Sequence, residues 1–199
     1  MWASILQHAW QHAVLSIGAL AVAVVLGAAL GTAAWAVPAI RTPVLAAAAL
    51  GRTVPSIALL MLLIPFLGVG TGPAIVALTL LALPPIAINV DVALREVSPS
   101  AIDAATGLGM TPLQRFMRIS VPLALPVALS GVRTAAVEVI GSATLATFIG
   151  AGGLGDDIVR ALQTSDVPLL LTASASVAIM AFAAELIISR LATRAEALA

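Results

Sequence analysis

Residues 13–37 run for 25 positions without a charged side chain, and four more long apolar runs follow. A helix crosses the hydrocarbon core of a bilayer with about 20 apolar residues, each rising about 1.5 Å. A run of this length therefore dictates a spanning helix. The other runs cover residues 43–67, 73–94, 121–147 and 167–190. Gly51, Arg52 and Pro55 interrupt the second, Pro84-Pro85 breaks the third, and the fourth carries Arg133 and Glu138. The expectation is an all-α integral membrane protein with about five spans in a single domain over residues 1–199. Composition agrees, since 9% of residues are charged against about 25% in soluble domains.

Nine arginines and no lysine balance nine acids. That balance points to no nucleic-acid or acidic partner, and leaves membrane lipid as the surrounding medium. Without cysteine the chain has neither disulfides nor thiolate metal sites. The opening "MWASILQHAW" has no basic stretch before its apolar run, so no cleaved signal peptide is expected. Arginines concentrate on the cytoplasmic side of membrane proteins. If the polar stretch between the third and fourth spans is cytoplasmic, then Arg41, Arg52, Arg95, Arg115, Arg118, Arg190 and Arg194 share its side. Only Arg160 falls clearly outside, and Arg133 lies within a span. The N-terminus is then outside and the C-terminus cytoplasmic. Trp10 and Trp35 fit interfacial anchors at the two ends of the first span.

The central stretch "DAATGLGMTPLQRFMRISVP", Asp103 to Pro122, is tightly punctuated. Ser98-Pro99 reads as an N-cap and a first-turn proline, and Ser100 with Asp103 offers a second capping register. Gly107 and Gly109 can end that helix in a left-handed conformation. Thr111-Pro112-Leu113-Gln114 reads as a second cap, first-turn proline and capping-box glutamine. On the helix that follows, Leu113, Phe116 and Met117 share a face, and Pro122 marks the start of the fourth span. The segment 98–120 thus forms a helix–turn–helix with a small-residue edge at Ala104 and Ala105.

Spacing adds more. Asp103-Ala104-Ala105, three residues, Gly109, nine residues, then Ile119-x-Val121-Pro122 resembles the Glu-Ala-Ala motif of permease subunits of ATP-binding-cassette importers. Asp103 stands for the family's Glu and Val121 for its Leu. "GRTVPSIALLMLLIPFLGVGTGPAIVALTLLALPPI" and "PLALPVALSGVRTAAVEVIGSATLATFIGAGGLGDDI" extend the likeness, chiefly to glycine betaine/carnitine/choline permeases, with methionine-type permeases as the alternative. The resemblance implies a type I importer permease in a bacterial inner (plasma) membrane. It implies cytoplasmic ATP-binding subunits that dock on Asp103, Ala104, Ala105, Gly107, Gly109, Met110, Thr111 and Arg115. It also implies a second permease subunit, identical or not, and an extracytoplasmic solute-binding protein. No phosphate-binding loop occurs in the sequence, so ATP and Mg belong to the partner, this chain needs no cofactor, and it is not itself an enzyme.

"GAGGLG" satisfies G-x-G-x-x-G, but no strand precedes it and Ala175 stands where a ribose-binding acid would be. It reads as a turn at the outer end of the fourth span. The resemblance makes Gly150, Gly152, Gly153 and Gly155 an outer gate, with Asp156 and Asp157 facing a binding protein. Gly27 and Gly31 form a G-x-x-x-G fit for close helix packing, within the chain or across a dimer. His8 and His12 are one helical turn apart but have no third ligand, so no metal is expected. Polar groups are costly in lipid, which makes Asn89, Thr134, Glu138 and Ser142 candidates for a solute path, helix–helix bonding being the other reading. Without tyrosine, and with three Trp and four Phe, the chain cannot build a tight aromatic cage for a quaternary ammonium. A betaine or choline would pass weakly bound, its affinity supplied by the separate binding protein. A secondary transporter or channel is the rival class, though inverted repeats are missing.

Overall fold

The computed structural model describes residues 2–197, and among these the ordered elements are helices only. The outermost positions, 1 and 198–199, lie outside the described residues. In chain order the elements are α1 (Trp2–Ala36), α2 (Pro38–Gly51), α3 (Ser56–Leu67), α4 (Thr71–Glu96), α5 (Pro99–Gly107) and α6 (Pro112–Arg115). A π-helical turn (Phe116–Ser120), α7 (Val121–Ala143), a 3-10 turn (Thr144–Ile149), α8 (Leu154–Thr164) and α9 (Val167–Glu196) complete the chain. Four helices are long and apolar enough to cross a membrane: Ser4–Ala36, Thr71–Glu96, Pro112–Ile149 and Val167–Glu196. The second apolar run is a bent pair, α2 and α3, turned by 103°.

α4 is the central helix, packed between α1 and α7. Ala19, Ala23, Gly27 and Gly31 recur every fourth position on α1, so one ridge of minimal side chains lets the backbones approach. A Cβ on Gly27 would lie 2.8 Å from Ile86 Cγ2, and one on Gly31 would lie 2.5 Å from the Ala87 carbonyl oxygen. The G-x-x-x-G contact is therefore internal to the chain. Around it Ala19, Ala23, Leu78, Ile86 and Val139 form the main core. A second cluster, with Leu15, Leu60, Ala74 and Ile149, closes the end where α4 begins.

Proline acts differently in the two places where breaks were expected. Pro84-Pro85 does not break α4, which stays helical from Thr71 to Glu96 with both prolines buried. Each lacks an N–H and frees one carbonyl, a loss that neighbouring helices make tolerable in membranes. Pro55 does end a helix, because the residue before a proline is pushed out of the helical region. The Thr53 hydroxyl donates to the Leu50 carbonyl at 2.7 Å and closes that turn.

Pro122 does not open the fourth span. α6, the π turn, α7 and the 3-10 turn are one continuous helix, Pro112–Ile149. The Val121 N–H bonds five residues back to the Phe116 carbonyl, and this wide turn comes just where Pro122 has no N–H to give. The second arm of the expected helix–turn–helix is therefore the start of the spanning helix. α8 is an additional short helix in what reads from sequence as a loop. α9 is the least enclosed long helix, burying only Leu169 and Ala173.

Candidate functional site

Chemistry-bearing residues gather at the two ends of α4 and along one face of α7. The first group follows α4 directly: two residues beyond Glu96, Ser98 leads into α5. The Ser98 side chain does not cap the helix but lies 2.6 Å from the Ser100 hydroxyl, so neither expected serine register forms. The far end is a Schellman motif. The Gly109 N–H bonds to Thr106 and the Met110 N–H to Ala105, at 2.9 and 3.1 Å. Gly109 supplies the left-handed residue, with φ +76°, while Gly107 stays helical.

The expected capping box is present. Thr111 Oγ1 accepts from the Gln114 N–H at 3.3 Å, and Gln114 Oε1 accepts from the Thr111 N–H at 2.9 Å. The Arg115 guanidinium donates to the Thr106 hydroxyl and braces α5 against α6. Ala105 is only 2% exposed, so the small-residue edge reduces to Ala104, beside the exposed Asp103 and Gly107. Leu113, Phe116 and Met117 also part company. Phe116 stacks on Trp35 with centroids 5.6 Å apart, which also makes Trp35 a packing residue. Leu108, Leu113 and Met117 remain 77%, 71% and 57% exposed.

At the same end, Asp91 is fully buried and receives two arginines. Arg41 Nε lies 3.2 and 3.1 Å from its two carboxylate oxygens, and Arg41 Nη2 lies 2.9 Å from Oδ2. Arg95 Nε donates to Oδ1 at 3.1 Å. The spacing Asp91-x-x-x-Arg95 was a legible helical pair; the third member, 50 positions upstream, was not.

At the other end, the Gly-rich stretch is clamped by α1. Gly150, Gly152 and Gly153 all have positive φ, at 73°, 77° and 93°. Gly155 lies inside α8 against the Thr144 carbonyl, where no Cβ fits. Gln11 Oε1 accepts from the Gly153 N–H at 3.4 Å, and His12 Nε2 is 3.0 Å from the Ile140 carbonyl. His8 Nδ1 is 2.7 Å from Asp157 Oδ2. Asp157 is thus buried and cannot face a docking protein, while Asp156 accepts from the Thr147 hydroxyl. Gln11, Val14, Thr71, Gly152 and Asp156 border an open cavity of about 520 Å3.

The four span candidates divide. The Asn89 amide donates to the Pro85 carbonyl at 2.7 Å, and its oxygen lies 3.0 Å from the Ser130 hydroxyl. It stands at the crossing of α4 and α7. Thr134, Glu138 and Ser142 instead form an i, i+4, i+8 line on α7. Thr134 on that line is exposed, and Glu138 and Ser142 are half-buried. Arg52, at the break between α2 and α3, interacts electrostatically with Glu138. Its neighbour Gly51 packs by Pro84, seven residues up α4 from Asp91, so Arg52 sits farther from the docking end of α4 than Arg41 does. A second pair, Arg133 and Glu185 at 3.4 Å, ties α7 to α9.

Residues 23–197 match the family described as "Binding-protein-dependent transport system inner membrane component". The carnitine transport permease protein OpuCB of Listeria monocytogenes is 37% identical, over 96% of this chain and 88% of its own. The osmoprotectant import permease protein OsmW of Salmonella typhimurium is 38% identical, over 93% and 86%. The choline transport system permease protein OpuBB of Bacillus subtilis is 33% identical, over 93% and 85%. In fold, the chain superposes on an inward-facing MetNI methionine ABC transporter with TM-score 0.84 and 24% identity, covering 96% of this chain and 95% of that one. An amino acid ABC transporter gives TM-score 0.75 at 17% identity, covering 96% of this chain and 92% of that one. The chain belongs to the binding-protein-dependent transport system inner membrane components, and it is a permease subunit of an ATP-binding-cassette importer.

Proposed function

We propose that this permease carries a quaternary-ammonium compatible solute of the glycine betaine, carnitine or choline type. The observation that carries the reading is the set of relatives above, each 33–38% identical along more than nine-tenths of the chain and named for carnitine, osmoprotectant or choline transport. The methionine transporter contributes the fold alone, so methionine stays the secondary reading. With few aromatic residues and no tyrosine, a tight cation–π cage is out of this chain's reach. A separate binding protein supplies affinity at the outer side, and the permease offers a weak path.

Two permease subunits enclose that path. Thr134, Glu138 and Ser142 line it, while Asn89, bonded on both sides, holds α4 to α7. The segment of α5 and α6 lies in the cytoplasm and seats the ATPase. Its exposed Leu108, Leu113 and Met117 form an apolar docking face beside Asp103 and Ala104, and Gly109 and Arg115 keep its shape. The Gly150–Gly155 stretch stands outside as a gate, clamped by the first turns of α1. The arginine-rich end carrying Arg41, Arg95, Arg115 and Arg118 is then cytoplasmic, with the start of α1 outside. ATP binding draws the two coupling segments together and tilts the spans outward-open; hydrolysis returns them.

Affinity purification of the tagged chain from its native membrane tests this assembly. An ATP-binding subunit should accompany it and leave when Leu113 and Met117 are both replaced by Asp. Purification of an active solute carrier with no ATPase would contradict the proposal.

A further inference from the structure

We infer that Asp91 is a positioning residue that makes the broken span, α2 with α3, move together with the ATPase-docking segment. The inference rests on the docking role proposed for α5 and α6, and adds how motion there reaches the middle of the membrane.

α2 has no buried residue. It therefore has little apolar burial to hold it to the bundle, and Pro43 removes one of its internal hydrogen bonds. Its specific tie near the cytoplasmic end is the fork of Arg41 on Asp91, with three N–H···O contacts between 2.9 and 3.2 Å. Charge-assisted, forked contacts fix orientation as well as distance. A buried carboxylate stripped of such partners is strongly unfavourable, so Arg41 follows Asp91 wherever α4 goes.

The same carboxylate also accepts from Arg95 at 3.1 Å. Arg95 lies in the last turn of α4, three residues before Ser98, the residue that leads into α5. One carboxylate is thus shared by the helix end that carries the docking segment and by the start of α2, the helix that leads to the break. At its far end α2 delivers Arg52, whose charge reaches the half-buried Glu138 of α7. Displacing α5 pulls the last turn of α4, Asp91 carries Arg41 with it, and α2 moves the break relative to α7.

The test uses the complete importer, with its ATPase and binding protein, reconstituted in vesicles. Asp91→Asn and Arg41→Gln are compared with the parent for ATP hydrolysed and labelled solute moved. A nitroxide on Ala46→Cys reports on α2, because the chain has no other cysteine to take the label. Both variants should still hydrolyse ATP, while solute moved per ATP falls about tenfold, within the usual range of coupling between sites. The label should respond to ATP in the parent and cease to respond in both variants. An unchanged solute-to-ATP ratio in either variant overturns the inference. So does a label that still responds, or a loss of hydrolysis in proportion to transport. If Asp91→Asn fails to assemble, Arg41→Gln decides alone, since Asp91 then keeps Arg95. A parent complex with no ATP-dependent uptake would instead sink the importer reading and take the inference with it.

Discussion

A methyl group on Gly131 of α7 would sit 2.6 Å from the carbonyl oxygen of Pro85 in α4, so the two helices meet backbone to backbone. Gly18 of α1 is different, because a Cβ there would meet Ile75 at an ordinary 3.7 Å. Gly131→Ala should destabilise the chain by about 1–3 kcal/mol through overpacking. Gly18→Ala should be neutral or stabilise by up to about 1 kcal/mol through helix propensity. Thermal unfolding of the two purified variants measures the contrast, and equal melting temperatures would count against the close crossing.

Two glycines only two positions apart in the docking segment should also behave oppositely. Gly109 holds φ +76°, a conformation that costs an L-residue about 1–2 kcal/mol. Gly107 is helical, with open space where a Cβ would go. Gly109→Ala should loosen the Schellman turn, speeding amide exchange at 109 and 110. Gly107→Ala should slow exchange across α5, gaining about 0.5–1 kcal/mol.

Asn89 and Glu138 separate packing from transport. Asn89→Ala removes the hydrogen bond that Ser130 of α7 donates to α4 and should cost about 0.6–1.7 kcal/mol, the average-to-maximum span for such bonds in membranes. The relative uptake of different solutes should stay the same. Glu138→Gln should leave the unfolding free energy within about 0.5 kcal/mol of the parent and reduce uptake. A change in solute preference with Asn89→Ala would place that side chain in the path instead.

The neighbouring acids of α8 should differ as well. Asp157 is buried on His8, and Asp157→Ala should cost about 1.5–3 kcal/mol by removing a hydrogen bond to a buried carboxylate. Asp156→Ala gives up one hydrogen bond, from Thr147, worth about 1 kcal/mol. Chemical denaturation of both variants checks the order.

Much of this was legible where the signal is local. The Thr111–Gln114 capping box, the left-handed Gly109 and the charge-free run of α1 follow from residues close together in sequence. What escaped depends on distant partners. Asp91 and Arg95 are spaced as a helical pair, yet Arg41 joins them only because α2 folds back on α4. Asp157 reads as a surface acid until His8, near the start of the chain, covers it. Proline misled twice: α4 continues through Pro84-Pro85, and Pro122 falls inside a continuous helix because the π turn absorbs it. The extent of α8 was hidden by its glycines, since Gly155 reads as turn chemistry but is required by the Thr144 backbone. The interruption at Gly51, Arg52 and Pro55 was legible, but the 103° angle between α2 and α3 was not.

The most direct measurement is uptake into vesicles that hold this permease, its ATPase and its binding protein. Labelled glycine betaine, carnitine, choline and methionine are each offered with and without ATP inside the ATPase-facing compartment. The account predicts ATP-dependent accumulation of at least one quaternary-ammonium solute and none of methionine. Accumulation of methionine alone, or equal uptake of any solute without ATP, would contradict it.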